Sequence, residues 1–206
     1  MKLKLPPGAF QAYLFDCDGT IADSMPLHYV AWKRALGDWN CEFDEELFYS
    51  WGGKPVRKIV ADLNEIHGLK MPVDELAATK ESYYHEQLSQ LKAIPEVLEH
   101  IHAEHGRIPF AVVSGSRRAS VVGSLTALNL LDKFDTLVCA EDYKHGKPAP
   151  DCFLLGASRL GIAPQDCLVF EDTALGIEAA TSAGMASVLV PPTNARKSGT
   201  TIDYSA

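Results

Sequence analysis

Short apolar segments alternate with helical stretches over much of this 206-residue chain, and this alternation constrains the fold more than any other feature. Segments such as Phe110-Ala111-Val112-Val113 are apolar on both faces, which is typical of strands in a parallel sheet covered by helices on each side. We therefore predict an α/β fold with a Rossmann-like parallel sheet. The predicted strands are residues 12–15, 110–113, 136–140, 167–170 and 187–190, and the later ones are separated by helices over 119–128, 150–160 and 175–183.

Strand-like alternation is almost absent between the first strand and residue 91, where the pattern is helical. We expect a small helical bundle inserted after the first strand, with helices near residues 23–36, 44–49, 56–67 and 73–91. Residues 1–22 and 92–206 would then form the core domain, and residues 23–91 would form a second, helical domain. The aromatic residues expected in its core are Trp32, Trp39, Phe43 and Trp51.

Composition excludes several classes of partner. The net charge of −8 disfavours nucleic acid and anionic membrane surfaces, because binding to them depends on clustered lysine and arginine.

No stretch approaches the roughly 20 apolar residues of a membrane span, and the first residues lack the apolar core of a signal peptide, so a cytoplasmic protein is expected. We also expect a monomer. The five cysteines are scattered, which argues against a disulfide framework or a zinc site, and the four that lie in or beside apolar runs are expected to be buried thiols. The polar tail after Pro192 is expected to lie on the surface.

Polar side chains follow the predicted strands at the points where the strands end. Ligands of open parallel sheets bind outside this edge, so the side chains should lie close together. Each has another explanation when taken alone: a serine that caps the next helix, a solvated loop lysine, or acids that complement a helix dipole. Their convergence on one rim favours a site. They are Asp16 and Asp18 after the first strand, Ser114 and Gly115 after the second, Lys147 in the loop after the third, and Glu171 and Asp172 after the fourth.

These residue types predict phosphoryl transfer. Residues two apart in an extended segment point to the same side, so Asp16 and Asp18 would share one face while Cys17 turns away. Clustered carboxylates suit Mg²⁺, which binds substrate phosphate beside one or two of them. A carboxylate such as Asp16 attacks phosphorus to form an aspartyl-phosphate, and a second carboxyl protonates the leaving oxygen and then activates water. A lysine, a serine hydroxyl and backbone amides would hold the phosphoryl oxygens.

Four motifs then match one family. They are DCDGT from residue 16, VVSGS from residue 112, KPAPDCFLLGASRLGI from residue 147 and EDTALGIEAATSAGM from residue 171. Together they resemble the haloacid dehalogenase (HAD) superfamily, in its branch of sugar-phosphate phosphatases and β-phosphoglucomutases, over essentially the whole chain. The resemblance implies a HAD-like core and makes residues 23–91 a mobile cap domain that closes over the site.

The resemblance also implies roles for the residues at the rim. Asp16 would be the nucleophile and Asp18 the general acid and base. Dehalogenation is not expected, because the members that dehalogenate lack the second aspartate. The Mg²⁺ ligands would be the Asp16 carboxylate, the Asp18 backbone carbonyl, Asp172 and Glu171, and the phosphoryl ligands would be Ser114, Gly115 and Lys147.

The cap bears on the choice between phosphatase and mutase. His28 and Lys80 match cap positions that the mutases use near the site, which keeps β-phosphoglucomutase activity open as an alternative. The mutases also carry a cap arginine for the distal phosphate. This chain has Val56 there, Arg57 would point about 100° away on a helix, and Lys54 is a poor substitute for a bidentate guanidinium.

We therefore predict hydrolysis of a small phosphorylated metabolite such as fructose-1-phosphate. A phosphoacceptor signalling module, which also collects acids and a lysine at one sheet edge, is a further alternative from another class. The helical insert argues against it, because such modules lack an insert after the first strand.

Overall fold

A five-stranded parallel sheet forms the centre of the molecule, with strand order β3-β2-β1-β4-β5. The structure is a computed structural model and describes residues 3–192; the predicted surface tail after Pro192 lies outside the described residues. The α/β prediction is confirmed. The strands are β1 (Ala12–Phe15), β2 (Phe110–Val113), β3 (Thr136–Val138), β4 (Cys167–Glu171) and β5 (Ala186–Leu189). The helices are α1 (Met25–Leu36), α2 (Glu45–Ser50), α3 (Val56–His67), α4 (Val73–His85), α5 (Pro95–Glu104), α6 (Arg118–Ala127), α7 (Asp151–Leu160) and α8 (Ala174–Ser182).

Alternate residues of each strand pack on opposite faces of the sheet. In β1, Tyr13 and Phe15 join an apolar cluster with α5 and α6, whereas Ala12 and Leu14 join a second cluster with α7 and α8. Burial on both faces explains why the strands are continuously apolar. Cys17 is fully buried in the first cluster, as predicted. All five cysteines are buried free thiols, one more than the four expected from their apolar neighbours.

Helices α1 to α4, which we call the helical insert, lie between β1 and α5 in the chain and enclose a third apolar cluster. Trp32 and Phe43 are buried in this cluster and Trp51 packs against it, as predicted. Trp39 was wrongly predicted to lie there, because its side chain is 36% exposed at the end of the turn after α1. The exact limits of the insert as a domain stay a prediction.

Two predicted elements need correction, and one helix has no counterpart in the prediction. The helix predicted over residues 73–91 ends at His85, and a separate 3-10 turn spans Leu88–Gln90. The strand predicted over 136–140 ends at Val138. No helix was predicted over Pro95–Glu104, where α5 lies. Among residues 3–192, no helix combines the length and apolar character needed to cross a membrane.

Candidate active site

The predicted rim residues meet at the carboxyl ends of the three central strands. Asp16 follows β1, Ser114 follows β2, and Glu171 ends β4 with Asp172 directly after it. Strand β1 lies between β2 and β4, so these side chains approach one another from both sides of Asp16. The Asp16 backbone N–H donates to the Phe170 carbonyl over 2.9 Å, which extends the pairing of β1 with β4 to the start of the acidic turn.

Lys147 reaches this rim from the loop between β3 and α7. Its Nζ donates to Asp16 Oδ1 over 2.7 Å, to Glu171 Oε1 over 2.5 Å and to the Val113 carbonyl over 3.3 Å. The side chain is only 4% exposed. Burial lowers the pKa of Lys147, but the charges of Asp16 and Glu171 raise it by more, so the net pKa is well above its ordinary value. The lysine is therefore a fixed ammonium beside Asp16.

Asp16, Glu171 and Asp172 offer carboxylate oxygens that all lie within 4.8 Å of one another. Burial raises the pKa of Asp16 well above its ordinary value, and burial together with the charge of Glu171 raises that of Asp172 to about 8. The raised pKa values mean that the positive charge of Lys147 does not fully balance the negative charges of these carboxylates. Buried oxygens of this kind are the ligands that hard divalent cations prefer, so the cluster fits Mg²⁺.

The turn after β1 brings Asp172 close to the backbone. Gly19 has a φ of +84°, and a Cβ added there would lie 2.1 Å from Asp172 Oδ2. Only glycine allows both this conformation and this approach. The next residue, Thr20, donates its hydroxyl to Asp172 Oδ1 over 3.1 Å. The sequence Gly19-Thr20 thereby holds Asp172 beside the Asp16 strand end.

Glu171 is bound on both of its carboxylate oxygens. Oε1 accepts from Lys147, and Oε2 accepts from the backbone N–H and the hydroxyl of Thr173 over 2.7 and 2.9 Å. Thr173 is the N-cap of α8 and accepts from the Gly176 N–H over 3.0 Å. The helix therefore begins after the two acids, and neither lies in its first turn as the alternative explanation required.

Asp18 lies in a different environment from Asp16. Its Oδ1 accepts from the Ser24 hydroxyl over 2.7 Å and lies 3.1 Å from His28 Nε2, while its Oδ2 accepts from the Ser116 hydroxyl over 2.6 Å. Burial raises the pKa of Asp18, but the His28 ring and the two hydroxyls lower it by more, so the net pKa is below its ordinary value. Sequence reasoning missed the hydroxyls of Ser24 and Ser116; the spacing of two in Ser114-Gly115-Ser116 was the available signal for the latter.

His28 and Lys80 come from α1 and α4 of the helical insert and meet at the same site. Lys80 Nζ lies 2.8 Å from His28 Nδ1, so the pair extends the contacts of Asp18 into the insert. Both residues line a cavity of about 90 Å³ between the rim and the insert. Other lining residues from the insert include Phe48, Trp51, Gly53, Lys54 and Val56.

Ser114 and Gly115 form the part of the rim that follows β2 and faces the loop at Gly53 of the insert. The Ser114 hydroxyl accepts from the Ser116 N–H over 3.0 Å, and α6 begins only at Arg118, so Ser114 does not cap that helix. Gly115 lines the cavity, and a Cβ added there would lie 3.6 Å from the Gly53 carbonyl oxygen. The loop of the insert therefore lies over the candidate phosphate-binding residues.

Comparison with known proteins identifies the family. The family model described as haloacid dehalogenase-like hydrolase matches residues 13–190. The chain belongs to this family. The hydrolase is 37% identical to the fructose-1-phosphate phosphatase YqaB of Escherichia coli (strain K12), over 87% of this chain and 95% of that protein. It is 30% identical to a phosphorylated carbohydrates phosphatase of Thermotoga maritima, over 85% of this chain and 82% of that protein.

Among solved structures, the hydrolase is similar to a β-phosphoglucomutase from Clostridium difficile. The TM-score is 0.81, the sequence identity is 28%, and the match covers 91% of this chain and 87% of that one. The predicted resemblance to the branch of phosphatases and β-phosphoglucomutases is therefore confirmed. The curated relatives described above are phosphatases, which supports the prediction of an enzyme with phosphatase chemistry.

Proposed function

We propose that this hydrolase is a Mg²⁺-dependent phosphatase of small phosphorylated sugars such as fructose-1-phosphate. One observation carries the proposal: two carboxylates separated by one residue lie in opposite settings, Asp16 among acids beside a buried lysine and Asp18 among hydrogen-bond donors. Pairs of titratable groups held in such different environments serve as separate nucleophile and acid–base groups. The name of the Escherichia coli relative supports the sugar phosphate as substrate.

Hydrolysis would proceed in two steps on the protein's own groups. An Asp16 carboxylate oxygen attacks phosphorus, the bond from phosphorus to the sugar oxygen breaks, and Asp18 gives its proton to that oxygen. Asp18 then takes a proton from water, whose oxygen attacks the aspartyl-phosphate and releases phosphate and free Asp16. Lys147, Ser114 and the Gly115 backbone would hold the phosphoryl oxygens as charge moves between them.

The contacts of Asp18 suit the second step as described. Three donors to its oxygens favour the carboxylate, which is the form that accepts a proton from water. For the first step Asp18 must carry a proton, and the Ser116 hydroxyl can turn to accept it because a hydroxyl both donates and accepts. The Ser116 hydroxyl would therefore donate to Asp18 when Asp18 is ionised and accept from it when Asp18 is protonated.

The acidic cluster would hold Mg²⁺ through Asp16, Asp172 and the backbone carbonyl of Asp18, with Glu171 as a further ligand or neighbour. Bound Mg²⁺ would supply the positive charge that lowers the pKa of these carboxyls and balances the incoming phosphate. Glu171 already binds Lys147 and Thr173, so its main contribution would be to orient the lysine.

The insert favours hydrolysis over isomerisation. Val56 lines the cavity where a mutase would carry its arginine. Arg57 instead forms an ion pair with Asp74 on the surface. Lys54 Nζ lies 2.9 Å from Asp62 and 3.8 Å from the Trp51 ring centre, so its charge is already bound within the insert. Among the described residues, a sugar with a second phosphate would find no free guanidinium at this wall of the cavity.

The helical insert, residues 23–91, would act as a cap domain. A cavity of about 90 Å³ is smaller than the ~300 Å³ at which pockets for small molecules usually begin. Substrate entry would therefore require the insert to move away from the rim and close again. We propose a cytoplasmic monomer, in which one chain supplies the whole site.

A screen of phosphorylated sugars for phosphate release tests the proposal, run beside an assay for conversion of β-glucose-1-phosphate to glucose-6-phosphate. We expect phosphate release that requires Mg²⁺ and falls to background in Asp16→Asn, with Asp132→Asn on the exposed surface as the matched control. Isomer formation faster than phosphate release would instead establish a mutase.

The phosphoacceptor alternative makes a different prediction. A signalling module would take up one phosphoryl group per chain and then stop, whereas a phosphatase turns over steadily. Continuous release of p-nitrophenol from p-nitrophenyl phosphate with Mg²⁺ is expected, and a single stoichiometric burst would contradict the proposed function.

A further inference from the structure

A line of polar side chains continues from Asp18 past the residues named so far. His28 Nε2 lies 3.1 Å from Asp18 Oδ1, Lys80 Nζ lies 2.8 Å from His28 Nδ1, and the same Nζ donates to Glu81 Oε1 over 2.8 Å. The second oxygen of Glu81, Oε2, accepts from the Ser120 hydroxyl over 2.5 Å. Ser120 lies on α6 of the core, so the line begins and ends in the core and passes through the insert.

Lys80 needs a counter-charge because it is only 2% exposed. A buried ammonium is costly unless it is paired and hydrogen-bonded. Glu81 supplies the charge: burial raises its pKa, but the charge of Lys80 and the bonds from Lys80 and Ser120 lower it by more, so the net pKa is below its ordinary value. Glu81 therefore stays ionised beside the lysine.

The charge on Lys80 sets the tautomer of His28. An ammonium has three donors and no acceptor, so Nδ1 of the ring must accept from it. The proton of the neutral ring is then on Nε2, which donates to Asp18 Oδ1. If Lys80 lost its place, Nδ1 could carry the proton and Nε2 would present a lone pair to the Asp18 carboxylate. The hydrogen bond from Lys80 thereby decides whether His28 Nε2 donates a hydrogen bond to Asp18 or turns a lone pair toward its carboxylate.

Helices α4 and α6 also fix the plane of the His28 ring. Tyr84 stacks on the ring with centroids 3.8 Å apart and planes 18° apart. Its hydroxyl lies 2.8 Å from the hydroxyl of Ser124, one turn after Ser120 on α6. Glu81 and Tyr84 are three residues apart and so share a face of α4. The two contacts form one polar seam between α4 and α6.

We propose that Glu81, anchored by Ser120, is a positioning residue that orients Asp18 for proton transfer through Lys80 and His28; this rests on the proposed role of Asp18 as acid and base. Glu81 is not among the described residues that line the cavity, whereas His28 and Lys80 are. Its effect should therefore appear only in steps where Asp18 moves a proton.

The test compares two esters that differ in their need for an acid. The oxygen of a sugar must be protonated as it leaves, whereas p-nitrophenolate leaves without a proton. We expect Glu81→Gln to lower kcat/KM for fructose-1-phosphate by at least about tenfold and that for p-nitrophenyl phosphate by less than about threefold. Ser120→Ala should give the same pattern with a smaller loss. Glu86→Gln is the matched control, because Glu86 lies at the end of α4 and pairs only with exposed Arg34 among described partners.

Two results would overturn the positioning role. Equal losses for both esters would show that Glu81 only holds the insert in place, and unchanged kcat/KM for both would show that Lys80 does not need it. Asp18→Asn, measured in parallel, separates this failure from that of the proposed function. If Asp18→Asn loses the sugar ester while Glu81→Gln does not, only the positioning role fails; if Asp18→Asn hydrolyses both esters at the wild-type rate, both fail.

Discussion

Asp16 and Asp18 show how one turn places the same residue type in two different environments. The oxygens of Asp16 face a lysine and two further acids, so its ionisation depends on added positive charge. Those of Asp18 face two serine hydroxyls and a histidine, so its ionisation depends on hydrogen bonds. A cation would therefore change the first carboxylate strongly and the second weakly. We therefore expect that substitutions of Asp16 would affect metal dependence, whereas substitutions of Asp18 would affect proton transfer.

The first residue-level prediction concerns the stability of the metal-free protein. The pKa of Asp172 is raised from 3.8 to about 8 in the folded state, so between these values the folded protein holds a proton that the unfolded chain has lost. The contribution of Asp172 to the free energy of unfolding should then fall as pH rises through this window, by at most about 1.4 kcal/mol per pH unit. Thermal unfolding in chelator from about pH 5 to about pH 8 measures this slope.

Mg²⁺ and substitution provide the controls for that slope. Mg²⁺ should stabilise the protein more at the upper end of the window, where the carboxylates are ionised and bind it best. Asp172→Asn should flatten the slope in chelator, and Asp132→Asn is the matched surface control. A metal-free stability that stays constant or rises over the window would contradict the prediction.

The second residue-level prediction concerns Arg57 and Val56. Arg57 is 61% exposed and paired with Asp74, and an exposed ion pair contributes at most about 1 kcal/mol, so Arg57→Ala should change kcat/KM by less than about twofold. Val56→Arg places a guanidinium on the cavity wall and should strengthen inhibition by a bisphosphorylated sugar about tenfold. Inhibition constants for mono- and bisphosphates measure both effects. A large loss of activity in Arg57→Ala would show that this arginine binds substrate after all.

At the scale of elements, the start of α8 is fitted to Glu171. Gly176, in the first turn of the helix, would bring an added Cβ within 1.9 Å of the Glu171 side-chain carbon Cδ. Gly176→Ala improves helix propensity by about 1 kcal/mol, but it must displace the carboxylate that binds Lys147. We expect kcat/KM to fall at least about tenfold, since Lys147 would lose its orientation.

Gly37→Ala is the matched control for this change. An added Cβ at Gly37 would meet nothing within 4 Å, and its φ of −56° suits alanine. Its kcat/KM should stay at the wild-type value. Wild-type activity and Mg²⁺ titration in Gly176→Ala would show that the fit between α8 and Glu171 does not matter for the site.

The elements also show which features a sequence can predict. Strands such as Phe110–Val113 could be predicted because burial on both faces of the sheet requires a continuous run of apolar residues, which is visible in the sequence. The end of α4 at His85 was missed, since Leu88 and Leu91 continue the helical spacing with no glycine or proline to interrupt it. Helix α5 was missed because its buried apolar residues are few, chiefly Val97 and Ile101.

The candidate site divides in the same way. Strand ends are visible in sequence, so Asp16, Lys147 and Asp172 could be predicted to meet there. The contacts of Asp18 with Ser116 and of Glu81 with Ser120 join residues 98 and 39 positions apart. The position of Ser116, two residues after Ser114, is a local signal for the first contact. The second contact depends on how the insert packs on the core, which periodicity does not specify.

At the scale of the whole molecule, the chain enters the insert near residue 23 and leaves it near residue 92, and these two connecting segments lie next to each other. The Asp23 N–H donates to the Lys92 carbonyl over 2.8 Å, and the Ile94 N–H donates to the Ile21 carbonyl over 2.9 Å. Paired connections of this kind allow rotation of the insert about one narrow region. Such a rotation would carry the loop at Gly53 away from Gly115, which it now covers.

The last prediction tests whether this movement is required. A Cβ added at Gly52 would lie 3.6 Å from Cγ2 of Thr173, so cysteine side chains at these two positions would be in contact, and we expect them to form a disulfide under oxidant. In Gly52→Cys/Thr173→Cys, oxidation should lower the hydrolysis of sugar phosphates at least about tenfold, and reductant should restore it, because substrate cannot enter the closed cavity. The native cysteines are all buried, so the two single variants under the same oxidant are sufficient controls. Equal rates for the oxidised and reduced double variant would mean that substrate reaches Asp16 without any opening of the insert.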